Sequence, residues 1–357
     1  MGRIYLDTNT FFRNGFFRAG AAQALFGACR VAGYEVIIPE TVLDEVRGNY
    51  AKELTNAVQK LSTAEKNIQK WTDLDDTLVD DSRAVQSFSA SLDAMIEKYD
   101  IRRLPYSEKS TQDVVVASYS GRKPFDVSGN GYKDFLIWDV IRADMLAKPD
   151  AGPFVFVSFD KGDYGRKKGG ETNSRTFILH PDIAEGVADL DGKLTCYNEF
   201  GHVVEDLVLP NLAQATPETM ENATNAIPQM VEDMIDEHLG FREMYGLQGL
   251  PFSNDVTLNG YGDLQIAQQK FYRFEDDIMV RILASVEGHF TGYMDKWDYL
   301  SKDWNGEISG SLINDHVFEV EGAADVVFEI TAIYSQAAEA FQGNTFHVLN
   351  EIEDEFY

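Results

Sequence analysis

Over residues 1–200 short apolar runs alternate with helical patterns. The run Arg3–Leu6 ends abruptly at Asp7-Thr8-Asn9, Val36–Ile38 is closed by Pro39, and Gly152-Pro153 opens the most apolar run, Phe154–Phe159. Short runs without polar alternation are what a strand buried on both faces requires. Arg175–His180 and Leu194–Tyr197 are weaker candidates for further strands. Between Arg47 and Asp100 the period changes: Leu54, Val58, Leu61, Ile68 and Trp71 keep one face, and Val85, Phe88, Leu92, Ile96 and Tyr99 repeat the spacing. The polar segment Thr72–Ser82 between them reads as a turn, so a helical hairpin interrupts an otherwise βαβ pattern. The expectation for this part is an α/β fold, a parallel sheet flanked by helices.

The pattern changes beyond residue 205. Pro210, Pro217 and Pro228 stand among Ala, Thr and Asn, which reads as a linker or a loosely packed helical connection, and Met230–His238 is acidic and helical. Residues 255–334 alternate like strands, most clearly in Val317-Phe318-Glu319-Val320 and Val326-Val327-Phe328-Glu329-Ile330. The domain expectation is therefore 1–205 for the α/β unit, 206–250 for a helical linker, and 251–357 for an antiparallel β-rich (α+β) domain.

Charge sharpens that division. The chain of 357 residues carries 31 basic and 59 acidic side chains, a formal charge of −28. Taken evenly, such a charge argues against a nucleic-acid partner, because phosphates repel it. It is not even: residues 1–200 have a balance of −5 and residues 201–357 a balance of −23, while 101–170 hold a local excess of +3. A near-neutral N-terminal unit is joined to a very acidic C-terminal one. No apolar run approaches the length of a membrane span, the N-terminus MGRIYLDTNTFF lacks a signal-peptide stretch, and the only cysteines are Cys29 and Cys196. The expectation is a cytoplasmic protein in a reducing compartment, without a disulfide framework, thiolate metal cluster or membrane partner.

Four carboxylates lie at predicted element ends, where α/β folds place their sites. Asp7 follows the first strand, Glu45 lies early in the helix after Pro39, Asp134 opens a helix after Gly129-Asn130-Gly131-Tyr132-Lys133, and Asp160 caps the apolar strand. Singly, each reads equally well as a turn residue or a helix cap. Together, at the carboxyl edge of one sheet, they would repel one another and call for a cation. Oxygen ligands in that number suit Mg²⁺ or Mn²⁺.

In order and spacing these residues resemble the PIN domain, the metal-dependent nuclease fold. Its pattern of Asp-x-Asn after the first strand, Glu in the helix after the second, Asp opening a later helix and Asp after the fourth strand falls on Asp7 with Asn9, Glu45, Asp134 and Asp160. Asp163 matches the family's frequent trailing acid, and Arg122-Lys123-Pro124-Phe125 through Trp138 resembles a bacterial subgroup with a helical insertion before the third acid. Glu40 and Asp44 lie close enough to compete with Glu45, and Asp139 is a further candidate outer ligand or a solvated helix position. The resemblance implies hydrolysis of phosphodiesters, most often in RNA. Asp7, Asp134, Asp160 and Asp163 would hold the metal, Glu45 would serve as ligand or water-orienting base, and Thr8 and Asn9 would support Asp7. Arg122, Lys123, Lys133, Lys161, Arg166, Lys167 and Lys168 flank the site in sequence and would position phosphates, although Arg166-Lys167-Lys168-Gly169-Gly170 also reads as a solvated loop. PIN relatives are often dimers, so a homodimer is a further expectation.

Rivals are narrower. A haloacid-dehalogenase-type phosphatase needs a second Asp two residues after the first, and Asn9 stands there. His180, His202, His238, His289, His316 and His347 show no zinc-ligand spacing. The remaining alternative is a catalytically silent PIN-like binding or regulatory module acting through its C-terminal domain. That acidic domain is open to three roles: structural packing, a protein partner, or mimicry of nucleic acid that masks the basic rim.

Overall fold

The computed structural model describes the chain apart from residues 19, 73–78, 127, 160–161, 167–174, 191, 216, 240–242, 251–252, 275–276, 302–303, 305–307 and 353–357. It folds as two units, one of Met1–Arg18 with Gln23–Leu212, the other of Ala19–Ala22 with Ala213–Tyr357.

In the first unit every residue of β1 (Gly2–Leu6) is buried, as befits a strand covered on both faces. After it come α1 (Thr8–Arg13), α2 (Gly20–Val31), β2 (Tyr34–Pro39), α3 (Glu40–Ile68), α4 (Asp81–Lys98), β3 (Arg102–Leu104), α5 (Thr111–Tyr119), α6 (Tyr132–Ala147) and β4 (Phe154–Val157). Then β5 (Thr176–Phe177), α7 (Pro181–Ala184), β6 (Leu194–Tyr197) and α8 (Phe200–Val203) complete it. The sheet order is β3-β2-β1-β4-β6-β5, parallel except for β5 against β6. The chain winds outward from β1 through β2 to β3, then resumes at β4 on the other side of β1. That reversal falls between β1 and β4, whose carboxyl ends are the usual place for a ligand in such a sheet.

The helical hairpin is present as α3 and α4, which pack together. Asp80 caps α4 by accepting from the Arg83 backbone N–H at 2.9 Å. Phe88, Leu92, Met95 and Ile96 are its buried face. Helix α6 contacts both β2 and α3. It is tied to the sheet through Asp144, which accepts from Tyr5 Oη at 2.7 Å, from Arg3 at 3.1 Å, and from both terminal nitrogens of Arg102 at 2.8 and 2.7 Å. Glu35 completes the network, 3.4 Å from Arg3 and 3.1 Å from Arg102.

The second unit begins with α9 (Pro217–His238), followed by β7 (Glu243–Leu247), β8 (Ser253–Phe274), β9 (Asp277–Asp295), α10 (Lys296–Ser301), β10 (Ile308–Leu312), β11 (Val317–Ser335), β12 (Ala340–Val348) and β13 (Glu351–Ile352). Its sheet is antiparallel, ordered β10-β11-β9-β8-β7-β13 with β12 also on β11. β9 and β11 pair without interruption from Val317↔Asp295 to Tyr334↔Ile278, whereas β8 meets β9 with three register shifts. Alternation along β9 buries Val280, Ile282, Ala284, Val286 and Phe290 and leaves Glu287, His289 and Asp295 exposed. Exposed Asp325 lies directly opposite Glu287, a like-charge pair that an antiparallel ladder disfavours.

The stretch expected as a linker is instead structural. Ala223, Ile227, Met230, Val231, Met234 and Ile235 of α9 join the strands in one core, and β7 lies within the sheet. Their spacing of three and four residues is an amphipathic helix, and it overrides the loop-like composition and Pro228, which stands inside it.

Among the described residues, no helix is long and apolar enough to cross a membrane.

Candidate functional site

At the carboxyl end of β1 the ladder to β4 runs one bond further, from the Asp7 backbone N–H to the Val157 carbonyl at 3.0 Å. Asp7 is the N-cap residue of α1 and is 2% exposed. Ser158 donates its hydroxyl to Asp7 Oδ2 at 2.8 Å. Burial pushes the Asp7 carboxyl up to about 7, the Ser158 bond opposes it, and the charges of Asp134 and Glu45 add to the rise. A buried carboxylate under that strain is the part of the sheet edge most in need of a positive charge.

Glu45 is in the second turn of α3, with 16% of its side chain exposed. Thr8 donates to its Oε2 at 2.8 Å, and Lys133 pairs with its Oε1. The neighbours that competed for this role point elsewhere: Glu40 lies 3.6 Å from Arg103, and Asp44 is taken by Arg47 at 3.2 Å and by the Tyr106 hydroxyl. Asp134 sits in the first turn of α6, where the helix dipole favours a carboxylate, and the Tyr164 hydroxyl is 3.4 Å from both its backbone oxygen and Oδ1. Asp163 is half-buried with Lys123 Nζ at 3.6 Å. Asp160 lies outside the described residues, although the strand that leads to it pairs directly with β1 through Leu6↔Val157. Asp139 is a structural acid, bound to Ser107 at 2.7 Å and Arg142 at 3.2 Å.

The supporting positions are mixed. Thr8 is buried against Glu45, as its bond shows, and Asn9 is half-buried. Among the basic candidates, Arg122 is paired with Glu185 and lies 3.8 Å from Asp182, and Lys123 and Lys133 hold Asp163 and Glu45. Arg166 is exposed, while Lys161, Lys167 and Lys168 lie outside the described residues. Ser158 and Tyr164 are the contributors that sequence reasoning missed. Ser158, the polar break between the apolar β4 and Asp160, was the available signal for the first; Tyr164 carried none beyond its place beside Asp163.

The loop before α6 is set by Gly131, whose φ of 104° is one that a side chain disfavours. A Cβ there would also overlap the Pro124 carbonyl. Gly131→Ala is expected to lower stability by about 1–3 kcal/mol, read as an earlier urea midpoint.

Among the described residues no three His, Cys, Asp or Glu side chains lie close enough to form a metal-binding group. The donor chemistry nonetheless fits a hard divalent cation: the acids are oxygen donors only, and buried Asp7 feels the charges of Asp134 and Glu45.

An acid-edged parallel α/β sheet whose strand order reverses between β1 and β4 belongs to the class of folds that bind ligands at a strand-order switch. Residues 4–164 match the family model of the PIN domain. PIN domains are commonly metal-dependent ribonucleases and typically use divalent ions. No match is found among curated proteins or among solved structures.

Proposed function

We propose that the N-terminal unit is a divalent-metal-dependent endoribonuclease. The observation that carries this reading is the buried Asp7 carboxylate, under the charges of Asp134 and Glu45, inside a matched PIN domain. Asp7, Asp134, Asp160 and Asp163 would hold Mg²⁺ or Mn²⁺, with Glu45 as ligand or water-orienting base. When bound, such an ion supplies an activated water and offsets charge on the leaving oxygen. The chain's own residues prepare the site: Ser158 fixes the Asp7 carboxylate and Thr8 fixes Glu45; Asn9 would support the turn at the strand end. Arg122, Lys123, Lys133 and Arg166, with Lys161, Lys167 and Lys168, would contact the sugar-phosphate backbone.

The test is incubation of labelled single-stranded RNA with Mn²⁺ and either wild type, Asp7→Asn or Asp134→Asn. Cleavage is expected to fall at least about a hundredfold in both variants, the size of loss seen when a group that stabilises transition-state charge is removed. Equal, metal-independent cleavage in all three would sink the reading. The ion pairs of Lys133 and Lys123 favour a second reading, a silent binding module whose acids are already satisfied by lysines; RNA binding without cleavage by wild type would select it.

We assign the acidic C-terminal unit a regulatory or structural role, and the protein as a whole a cytoplasmic location. The like-charge pair Asp325–Glu287 supports regulation through a cationic partner, since a purely structural surface gains nothing from it.

A further inference from the structure

We propose that Lys133 and Lys123 are held on metal-binding carboxylates until a divalent cation displaces them, and are then handed to the phosphates of the nucleic acid. Metal and substrate would consequently bind with positive coupling. The inference rests on the nuclease reading above and adds to it a linkage between the two ligands.

The two lysines bracket one loop. Lys123 stands before it and reaches Asp163 at 3.6 Å; Lys133 stands after it and reaches Glu45. Both acids belong to the proposed metal-binding set. The described backbone between the lysines is pinned by hydrogen bonds. The Lys123 backbone N–H donates to Asp182 at 3.0 Å, and Asp126 accepts from the backbone of Ser128 at 2.8 Å and of Asn130 at 2.9 Å. Buried Phe125 lies 5.3 Å from the ring of Phe135, between centroids. The parts that would move are the lysine side chains, whose four-carbon stems and point charges suit a change of partner.

Glu45 is also prepared for that change. Thr8 holds its Oε2 at 2.8 Å independently of Lys133, so the carboxylate keeps its place when the lysine leaves. The Lys133 side chain is 44% exposed, which gives its ammonium a path towards solvent and an arriving phosphate. A dication at the acids outcompetes a single ammonium, and the released ammonium seeks the nearest anion. By linkage, whatever the metal does for phosphate binding, phosphate does equally for metal binding.

The experiment compares full-length wild type, Lys133→Met, Lys123→Met and, as a control of equal charge change at an exposed position, Lys109→Met. Mn²⁺ binding is measured by electron paramagnetic resonance without nucleic acid. Lys133→Met and Lys123→Met are each expected to bind Mn²⁺ about three- to tenfold more tightly than wild type, with Lys109→Met unchanged. Calorimetric titration with inorganic phosphate supplies the second arm. Mg²⁺ is expected to tighten phosphate binding in wild type, with that enhancement at least about threefold smaller in a variant that combines Lys123→Met with Lys133→Met. Unchanged or weaker Mn²⁺ affinity in both lysine variants, with wild type binding the ion, overturns the exchange and leaves the nuclease reading standing. Absence of Mn²⁺ binding in every protein overturns both.

Discussion

Asp7→Asn is expected to make the metal-free protein more stable at pH 8 while removing its response to divalent ions. The Asp7 carboxyl is raised from 3.8 to about 7, chiefly by burial. A group raised in the folded state favours folding fully while it is protonated in both states. Its contribution disappears as the pH climbs through the folded value. The metal-free wild type should therefore lose stability between about pH 4 and pH 7 and stay low above it, by on the order of 2–4 kcal/mol. Asparagine cannot ionise, and its side-chain oxygen still accepts from Ser158. In EDTA at pH 8 its calorimetric unfolding midpoint should lie roughly 5–10 °C above that of wild type, with the gap closing at pH 4. Added Mg²⁺ should reverse the order, because an ion that binds only the folded wild type stabilises it by mass action. An Asp7→Asn midpoint at or below wild type in EDTA would show that this carboxylate is not electrostatically strained.

That strain could be anticipated from the sequence in outline. The runs that became β1, β2 and β4 lack polar alternation because both faces are buried, and Asp7 ends the first of them abruptly. Glu45 and Asp134 were readable for the same reason, as acids near helix starts. The partners were not. Ser158 reaches Asp7 across 151 positions of chain, and Lys133 meets Glu45 across 88. Reading along the chain assigned Lys133 and Lys123 to phosphates, because cations close to acids in sequence look like a binding rim; in the fold their ammonium groups face those acids directly. For α9 a helical connection was legible, and its composition hid only that the helix belongs to the core. Pro228 and the surrounding Ala, Thr and Asn resemble a linker, while the apolar spacing that decides the matter is visible only when prolines are not treated as stops.

Asp144→Ala is expected to cost about 3 kcal/mol, the largest loss among single changes away from the acid edge. Its carboxylate is shared by Arg3, Arg102 and Tyr5, and Arg3 is only 5% exposed. Removal leaves the buried Arg3 guanidinium with Glu35 at 3.4 Å and the backbone carbonyl of position 144 at 3.4 Å, and a buried phenol without its acceptor. Arg102 is about a third exposed and can be rehydrated, which limits the cost. Burial alone would raise the Asp144 carboxyl, but Arg102, Tyr5 and Arg3 outweigh it, so it titrates below its ordinary value. The stabilisation is accordingly present above about pH 4 and lost as the pH falls further, and the difference between wild type and variant should shrink in acid. Asp144→Asn, which keeps an acceptor but no charge, should fall between them. The effect reaches function through α6, whose far end carries Lys133 and Asp134 roughly 15 Å along the helix axis. Loosening the Asp144 end frees the helix to shift against β1 and β2, so RNA cleavage should fall, by less than on direct loss of Asp134. Urea unfolding of the three proteins at pH 7.5 decides it: an Asp144→Ala stability within about 0.5 kcal/mol of wild type would mean that the arginines find other partners and that the network does not hold α6 in place.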